Sequence, residues 1–149
     1  RSAAVKATNS PSGGNKSPGP AADTHGGGAF GFMETDATLA IDACIVAGNT
    51  AATGNGSDIW RPAGKVSAVR SLIGIADGTR ITAREGNLTG TAATPLEAKL
   101  SPLGDYGGAT QTMPPLPDSP AKASAKGSAA TVDQRGEKIT GVPSIGSAQ

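Results

Sequence analysis

The stretch from Thr38 to Thr50, TLAIDACIVAGNT, constrains the fold more than any other part of the chain. Leu39 and Ile41 alternate with Ala40 and Asp42, the period of two of a strand with one buried face. Past Ala43 the parity slips, and Cys44, Ile45 and Val46 run on as an apolar block until Gly48-Asn49. A slip followed by a Gly-Asn stop predicts a strand that bends and then turns. One such strand cannot bury its own apolar face, so the chain must supply copies to stack on it.

Val66 to Ile75, VSAVRSLIGI, reads as such a copy. Setting Ser71 beneath Cys44 puts Val66 under Leu39, Ala68 under Ile41, Leu72 under Ile45 and Ile73 under Val46, at an offset of 27 residues. That offset lies within the repeat range of solenoids. A weaker third copy begins near Ile81 and runs through Gly86-Asn87-Leu88-Thr89. The pattern predicts an all-β solenoid in which each coil lays short strands on the one before, giving parallel sheets around an aliphatic core. Leu39, Ile41, Cys44, Val46, Val66 and Ile73 are its expected stacking residues. Asn49 is expected to close its strand and stack its amide along the turn.

Composition limits the alternatives. Aromatic residues are 3% of the chain, so the core must be aliphatic and alanine-built, and 22 glycines with 11 prolines argue against long helices. No apolar run approaches the roughly 18 residues of a membrane-spanning helix. The net charge of +1 gives no electrostatic case for nucleic acid. Residues 1–22 carry Pro, Gly, Ser and Asn with Val5 as the one large apolar residue, and read as an extended low-complexity arm. Such a segment cannot offset its own ordering entropy, so a neighbouring coil or a neighbouring subunit is expected to hold it. Residues 23–100 then carry the coils. Residues 101–149 form an irregular, Pro- and Gly-rich region expected to wrap back along the solenoid or pair with another chain. The start at Arg1, with neither Met nor leader, suggests a processed product or a piece of something longer.

Short motifs in the last third add to this. Leu103-Gly104-Asp105, Gly107-Gly108 with Thr110-Gln111-Thr112, Leu116-Pro117 with Ser119-Pro120-Ala121, Asp133-Gln134-Arg135-Gly136 and Ile145-Gly146 occur in that order. Together they resemble the C-terminal region of bacterial secreted right-handed parallel β-helix proteins, the pectate-lyase-like superfamily members of choice-of-anchor Q type. His25 to Gly28, Ile45 to Thr50 and Ser71 to Gly74 resemble the coils of the same proteins, so the likeness spans roughly residues 23–149. It implies a short right-handed parallel β-helix in an extracellular or cell-surface setting, and it implies no particular activity. The motif residues it points to are Asp105, Gly107, Gly108, Asp133, Arg135 and Gly136. The chain differs from the family's usual pattern at Tyr106 and Ala109.

The residues offer little chemistry. A polysaccharide lyase or hydrolase on this scaffold needs clustered carboxylates, and the twelve acids are scattered. At the 27-residue offset Asp42 falls over Val69, so no acid ladder forms there. Glu34 and Asp36 can share a face, and both read as solvated. His25 is the one histidine and Cys44 the one cysteine, which rules out a His-rich metal site and a structural zinc site. Gly26 to Gly31 matches a dinucleotide-binding glycine pattern without the strand and helix that would give it meaning. Asn15, Asn55 and Asn87 stand in glycosylation sequons that chance explains in so Ser- and Thr-rich a chain. Asp133 with Arg135 is expected to fix a turn by hydrogen bonds.

No catalytic residue, metal ligand or cofactor is therefore expected. The sequence predicts a structural or interaction β-solenoid outside the cell, assembling with copies of itself into a fibre or surface layer through open sheet edges and the arm. The alternative is a polysaccharide-binding or polysaccharide-cleaving module, or a fragment of a surface adhesin.

Overall fold

The computed structural model describes residues 4–8, 11–12, 16–17, 29–31, 38–51, 58–60, 64–82, 85–146 and 148–149. Among these every regular element is a strand, so the fold is all-β. No helix of the described residues is long and apolar enough to cross a membrane.

The opening stretch forms β5 (Thr38–Asp42) and β6 (Ile45–Val46), separated by a bend at Ala43. The copy forms β9 (Lys65–Val69) and β10 (Leu72–Ile73), and β5 pairs β9 in parallel with Leu39 opposite Val66 and Ile41 opposite Ala68. Likewise β6 pairs β10 with Ile45 opposite Leu72 and Val46 opposite Ile73, the register expected from the sequence. The third copy shrinks to β11 (Leu88–Thr89) on β10 and a single bridge from Val66 to Ile81.

The segment expected as an extended arm holds the first rung of the same sheets. β1 (Ala4–Thr8) pairs β5, β2 (Pro11–Ser12) pairs β6, and β3 (Lys16–Ser17) pairs β7 (Thr50–Ala51). A further pair joins β4 (Phe30–Gly31) to β8 (Ile59–Trp60). Neighbouring strands of its own chain therefore pair with the arm's backbone. All these ladders are parallel, in the orders β1-β5-β9 and β11-β10-β6-β2, with the pairs β3-β7 and β4-β8 beside them. The offset between rungs falls from 34 residues at Ala4–Thr38 to 27 at Cys44–Ser71 and 16 at Ser71–Asn87. The stack is four strands wide at its β1–β4 end and tapers to one short strand at β11.

The bend is built from the same backbone conformation in the three later rungs. Ala43 has φ 51°, Arg70 φ 48° and Gly86 φ 66°, all left-handed. For the two non-glycine residues that conformation costs roughly 1–2 kcal/mol each. The ladder around the corner holds them: Ala43 N–H donates to Val69 O at 3.1 Å, and Arg70 N–H donates to Glu85 O at 2.8 Å. Asp42 and Arg70 pair across the bend as an ion pair.

Past the bend, β6 and β10 are buried on both faces. Leu39, Ile41, Cys44, Val46, Val66, Ala68 and Ile73 form one core, which also takes in Ile59 and Ile81. Ile45 and Leu72 point the other way, into a second core with Ala43, Ala98, Ala121, Ala125 and Ile145. Thus β5 and β9 alternate because their outer face, with Thr38, Ala40 and Lys65, is exposed, while β6 and β10 read as unbroken apolar runs because both their faces are covered. The parity slip marks a bend and, beyond it, a second core.

The cover over Ile45 and Leu72 comes from residues 96–149. Leu96 N–H donates to Gly74 O at 3.0 Å, and Gly146 N–H donates to Ala43 O at 2.9 Å. The 95–100 segment is irregular. Two antiparallel loops follow, one closed by bridges Leu100–Pro115 and Gly104–Thr112 and the other by Val132–Lys138. The last third thus wraps back along its own chain.

Candidate functional site

Four features gather the polar side chains of the described residues. The first is a column at the bend. Cys44 N–H donates to Ser71 Oγ at 3.2 Å, and Ser71 N–H donates to Asn87 Oδ1 at 2.9 Å. Each side chain also turns back to its own rung or the one before. The Cys44 thiol donates to Asp42 O at 3.1 Å, Ser71 Oγ to Val69 O at 2.8 Å, and Asn87 Nδ2 to Ala68 O at 2.6 Å. Cys44 is thereby a buried rung residue, and the amide of the Asn87 sequon is engaged in the fold.

The second is a clamp around Asp58, which is 1% exposed. Its Oδ1 accepts from Asn49 N–H and Asn49 Nδ2, and its Oδ2 accepts from Ile75 N–H at 2.6 Å. One carboxylate so joins the loop after β6 to the loop after β10. Burial pushes the Asp58 carboxyl above its usual range, against the opposing effect of these hydrogen bonds. Gly74 makes room for it, since a methyl there would lie 2.7 Å from Asp58 Oδ2. Asn49 therefore directs its amide nitrogen to a carboxylate. Nothing local to AATGNGSD singles out Asp58 in the sequence.

The third is a latch at the end of the chain. Asp133, whose side chain is fully buried, accepts from Arg135 N–H and Glu137 N–H on Oδ1 at 2.8 and 3.1 Å. Its Oδ2 takes Arg135 Nε at 2.9 Å, Arg135 Nη2 at 2.7 Å and Gln149 N–H at 3.2 Å. Burial pushes this carboxyl up, but the bonds from Arg135, Gln149 and Glu137 outweigh it and hold Asp133 below the usual carboxylate range. Arg135 Nη2 reaches Gln149 O at 3.0 Å and Nη1 reaches Tyr106 O. Gly108 packs on Arg135, where a Cβ would meet its Cα at 2.6 Å, and Gly107 N–H donates to Asp105 Oδ1 at 3.1 Å. The structure so brings together the six motif residues Asp105, Gly107, Gly108, Asp133, Arg135 and Gly136, and adds Gln149, which the sequence did not signal.

The fourth is a cleft of about 1210 Å³ between Ile45 of β6 with the loops after β6 and β10 on one side and the wrap on the other. Ile45, Ala47, Leu100, Met113, Val132 and Ile139 give it aliphatic walls, and Asp58 and Asp133 also line it. Leu103 and Val132, 61% and 54% exposed, stand on its lining as unusually exposed aliphatic residues. Thr112 also lines it, is 3% exposed, and its Oγ1 has no hydrogen-bond partner among the described residues.

Among the described residues no group of three or more His, Cys, Asp or Glu could hold a metal ion. The expectations for His25 to Gly28, for Glu34 and Asp36, and for the sequons at Asn15 and Asn55 fall outside the described residues. Comparison with family models, curated proteins and solved structures finds no match.

Proposed function

We propose that the chain is a short right-handed parallel β-helix of the secreted bacterial kind, acting outside the cell as a structural and interaction module. The observation that carries this reading is what the polar side chains do. Cys44, Ser71 and Asn87 tie one rung to the next, Asp58 ties two loops, and Asp133 with Arg135 ties the wrap. Among the described residues these six side chains are committed to holding the rungs, loops and wrap in place.

Self-assembly into a fibre or layer is the form of this role that open edges invite. The outer edges of β1 to β4 all lie at the wide end of the stack. That end carries the residues that blunt edges in natural sheets, Lys6 in β1, Pro11 in β2 and Lys16 in β3. Pro11 is the telling one. Leu72 N–H donates back to Cys44 O and Leu88 N–H donates back to Ser71 O, and Pro11 occupies their place in the first rung. A proline leaves no outward N–H there. Among the described residues the tapered far end also offers no matching row of strands for head-to-tail growth. The reading we favour is a module that meets partners through its wrap, with its wide end guarded against polymerisation.

Electron microscopy and sedimentation of the purified full chain test this. Dispersed single particles are expected from the wild type, and fibres or large assemblies from the double substitution Lys6→Val, Pro11→Val. Fibres formed by the wild type itself would overturn the guarded-edge reading in favour of assembly.

A further inference from the structure

We propose that the first rung exchanges between copies of this chain, the β1, β2 and β3 strands of one molecule seating on the β5, β6 and β7 edge of another. The proposal goes beyond the module reading, because Lys6, Pro11 and Lys16 guard the outer edge of the rung and the exchange uses its inner edge. Fibres of the wild type would refute the guard, and the cross-linking described below bears on the exchange alone.

Three observations carry it. The first is the register. Ala4 to Thr8 stand opposite Thr38 to Asp42, Pro11 and Ser12 opposite Ile45 and Val46, and Lys16 and Ser17 opposite Thr50 and Ala51. All three pairings run parallel along one edge of the next rung. Main-chain pairing of this kind is indifferent to which molecule supplies the strand.

The second is the contrast between the two sides of that pairing. The strands AVKAT, PS and KS bring Val5 as their one large aliphatic residue. The rung they cover carries Leu39, Ile41 and Val46, only 1%, 2% and 1% exposed. A segment with so little apolar burial of its own opens more readily than the rungs behind it. The edge it leaves would return aliphatic surface to water, which favours a new cover. A second copy's first rung is the cover whose register already fits.

The third is the length of the connection. Residues 18–29 join Ser17 to Phe30, a stretch that spans at most roughly 40 Å. The rung can therefore reach an adjoining molecule while β4 stays paired with β8. The exchanged form keeps every ladder contact, so pairing within a chain and between chains differ chiefly in effective concentration. Reciprocal exchange satisfies both edges and closes as a dimer.

The test uses the full chain in two variants, Ala4→Cys and Thr38→Cys, at facing positions of the register. Thr38 is exposed, and the native Cys44 is 1% exposed, so wild-type chains are expected to stay uncross-linked. The double variant Ala4→Cys, Thr38→Cys should close its disulfide within one chain at micromolar concentration, which checks the register itself. The two single variants are then mixed in a glutathione redox buffer, and the disulfide-linked pairs are identified by mass spectrometry. The mixed pair is expected several-fold above its statistical share, rising as the concentration approaches millimolar. An excess of a synthetic peptide of residues 1–17 should suppress it several-fold. A mixed pair no more abundant than its statistical share, one indifferent to the peptide, or a double variant that fails to close would each overturn the proposal.

Discussion

Asp58 Oδ1 takes two hydrogen bonds from one residue, Asn49, at 3.1 Å from its backbone N–H and 2.8 Å from its Nδ2. With Ile75 N–H on the other oxygen, the carboxylate links those two loops through one side chain. Asp58→Ala leaves these donors buried without an acceptor and should cost about 2–4 kcal/mol in urea denaturation.

The two buried acids should respond to pH in opposite directions. Asp58 has a folded pKa above the ordinary 3.8, so the native state binds the extra proton and its contribution to stability falls as pH rises from 3.8 through the raised value. Asp133 has a folded pKa below 3.8, so its contribution is present above 3.8 and lost as pH falls through the lowered value. Urea midpoints measured from pH 2.5 to 7 should therefore show Asp58→Asn closing its deficit against the wild type as pH rises, and Asp133→Asn widening its own. Parallel curves for the two variants would refute the assignment.

Arg135→Lys should open the latch without unfolding the rungs. Lysine keeps the charge but loses the forked Nε and Nη2 contacts to Asp133 and the reach to Gln149 O. Hydrogen exchange should speed up at Gly107, Glu137 and Gln149 and stay unchanged at Leu72 and Leu88, with a loss of about 1–2 kcal/mol.

The double-sided burial of the second sheet gives a direct contrast. Ile45→Ala removes a side chain from the core under the wrap and should cost about 2–5 kcal/mol. Ala40→Thr, on the exposed face of β5, should stay within about 0.5 kcal/mol. Equal effects would mean that the wrap does not cover Ile45.

Two glycines separate crowding from backbone strain. At Gly90 an added methyl would overlap Gly74 O and Leu96 N, so Gly90→Ala should cost about 3 kcal/mol or more. At Gly48 nothing lies within 4 Å, but φ is +71°, so Gly48→Ala should cost only about 1–2 kcal/mol. Thermal melts of the two variants make the comparison.

What the sequence disclosed depended on how local the signal was. The pairings of Leu39 with Val66 and Ile45 with Leu72 were legible because both copies keep the same spacing across the bend. The first rung was not, because its offset is 34 residues and a search at 27 passes over it, and because Ala4–Thr8 holds a single large apolar residue. Asp133 with Arg135 could be read from a four-residue turn. Asp58 could not, since its partners Asn49 and Ile75 lie 9 and 17 residues away, and loops of unequal length hide that approach. The cleft depends on how the wrap folds back, which no periodicity encodes.

The fastening of the wrap also decides how the molecule bears load. A pull on Gln149 meets Asp133 and Arg135 first, then the bonds at Gly146–Ala43 and Leu96–Gly74, which break one at a time like a zip. The parallel ladders of β5, β6, β9 and β10 feel tension only after that zip has opened. A chain anchored by its C-terminal end would yield in two stages, a soft peeling that bares Ile45 and Leu72 and a stiffer rupture of the rungs.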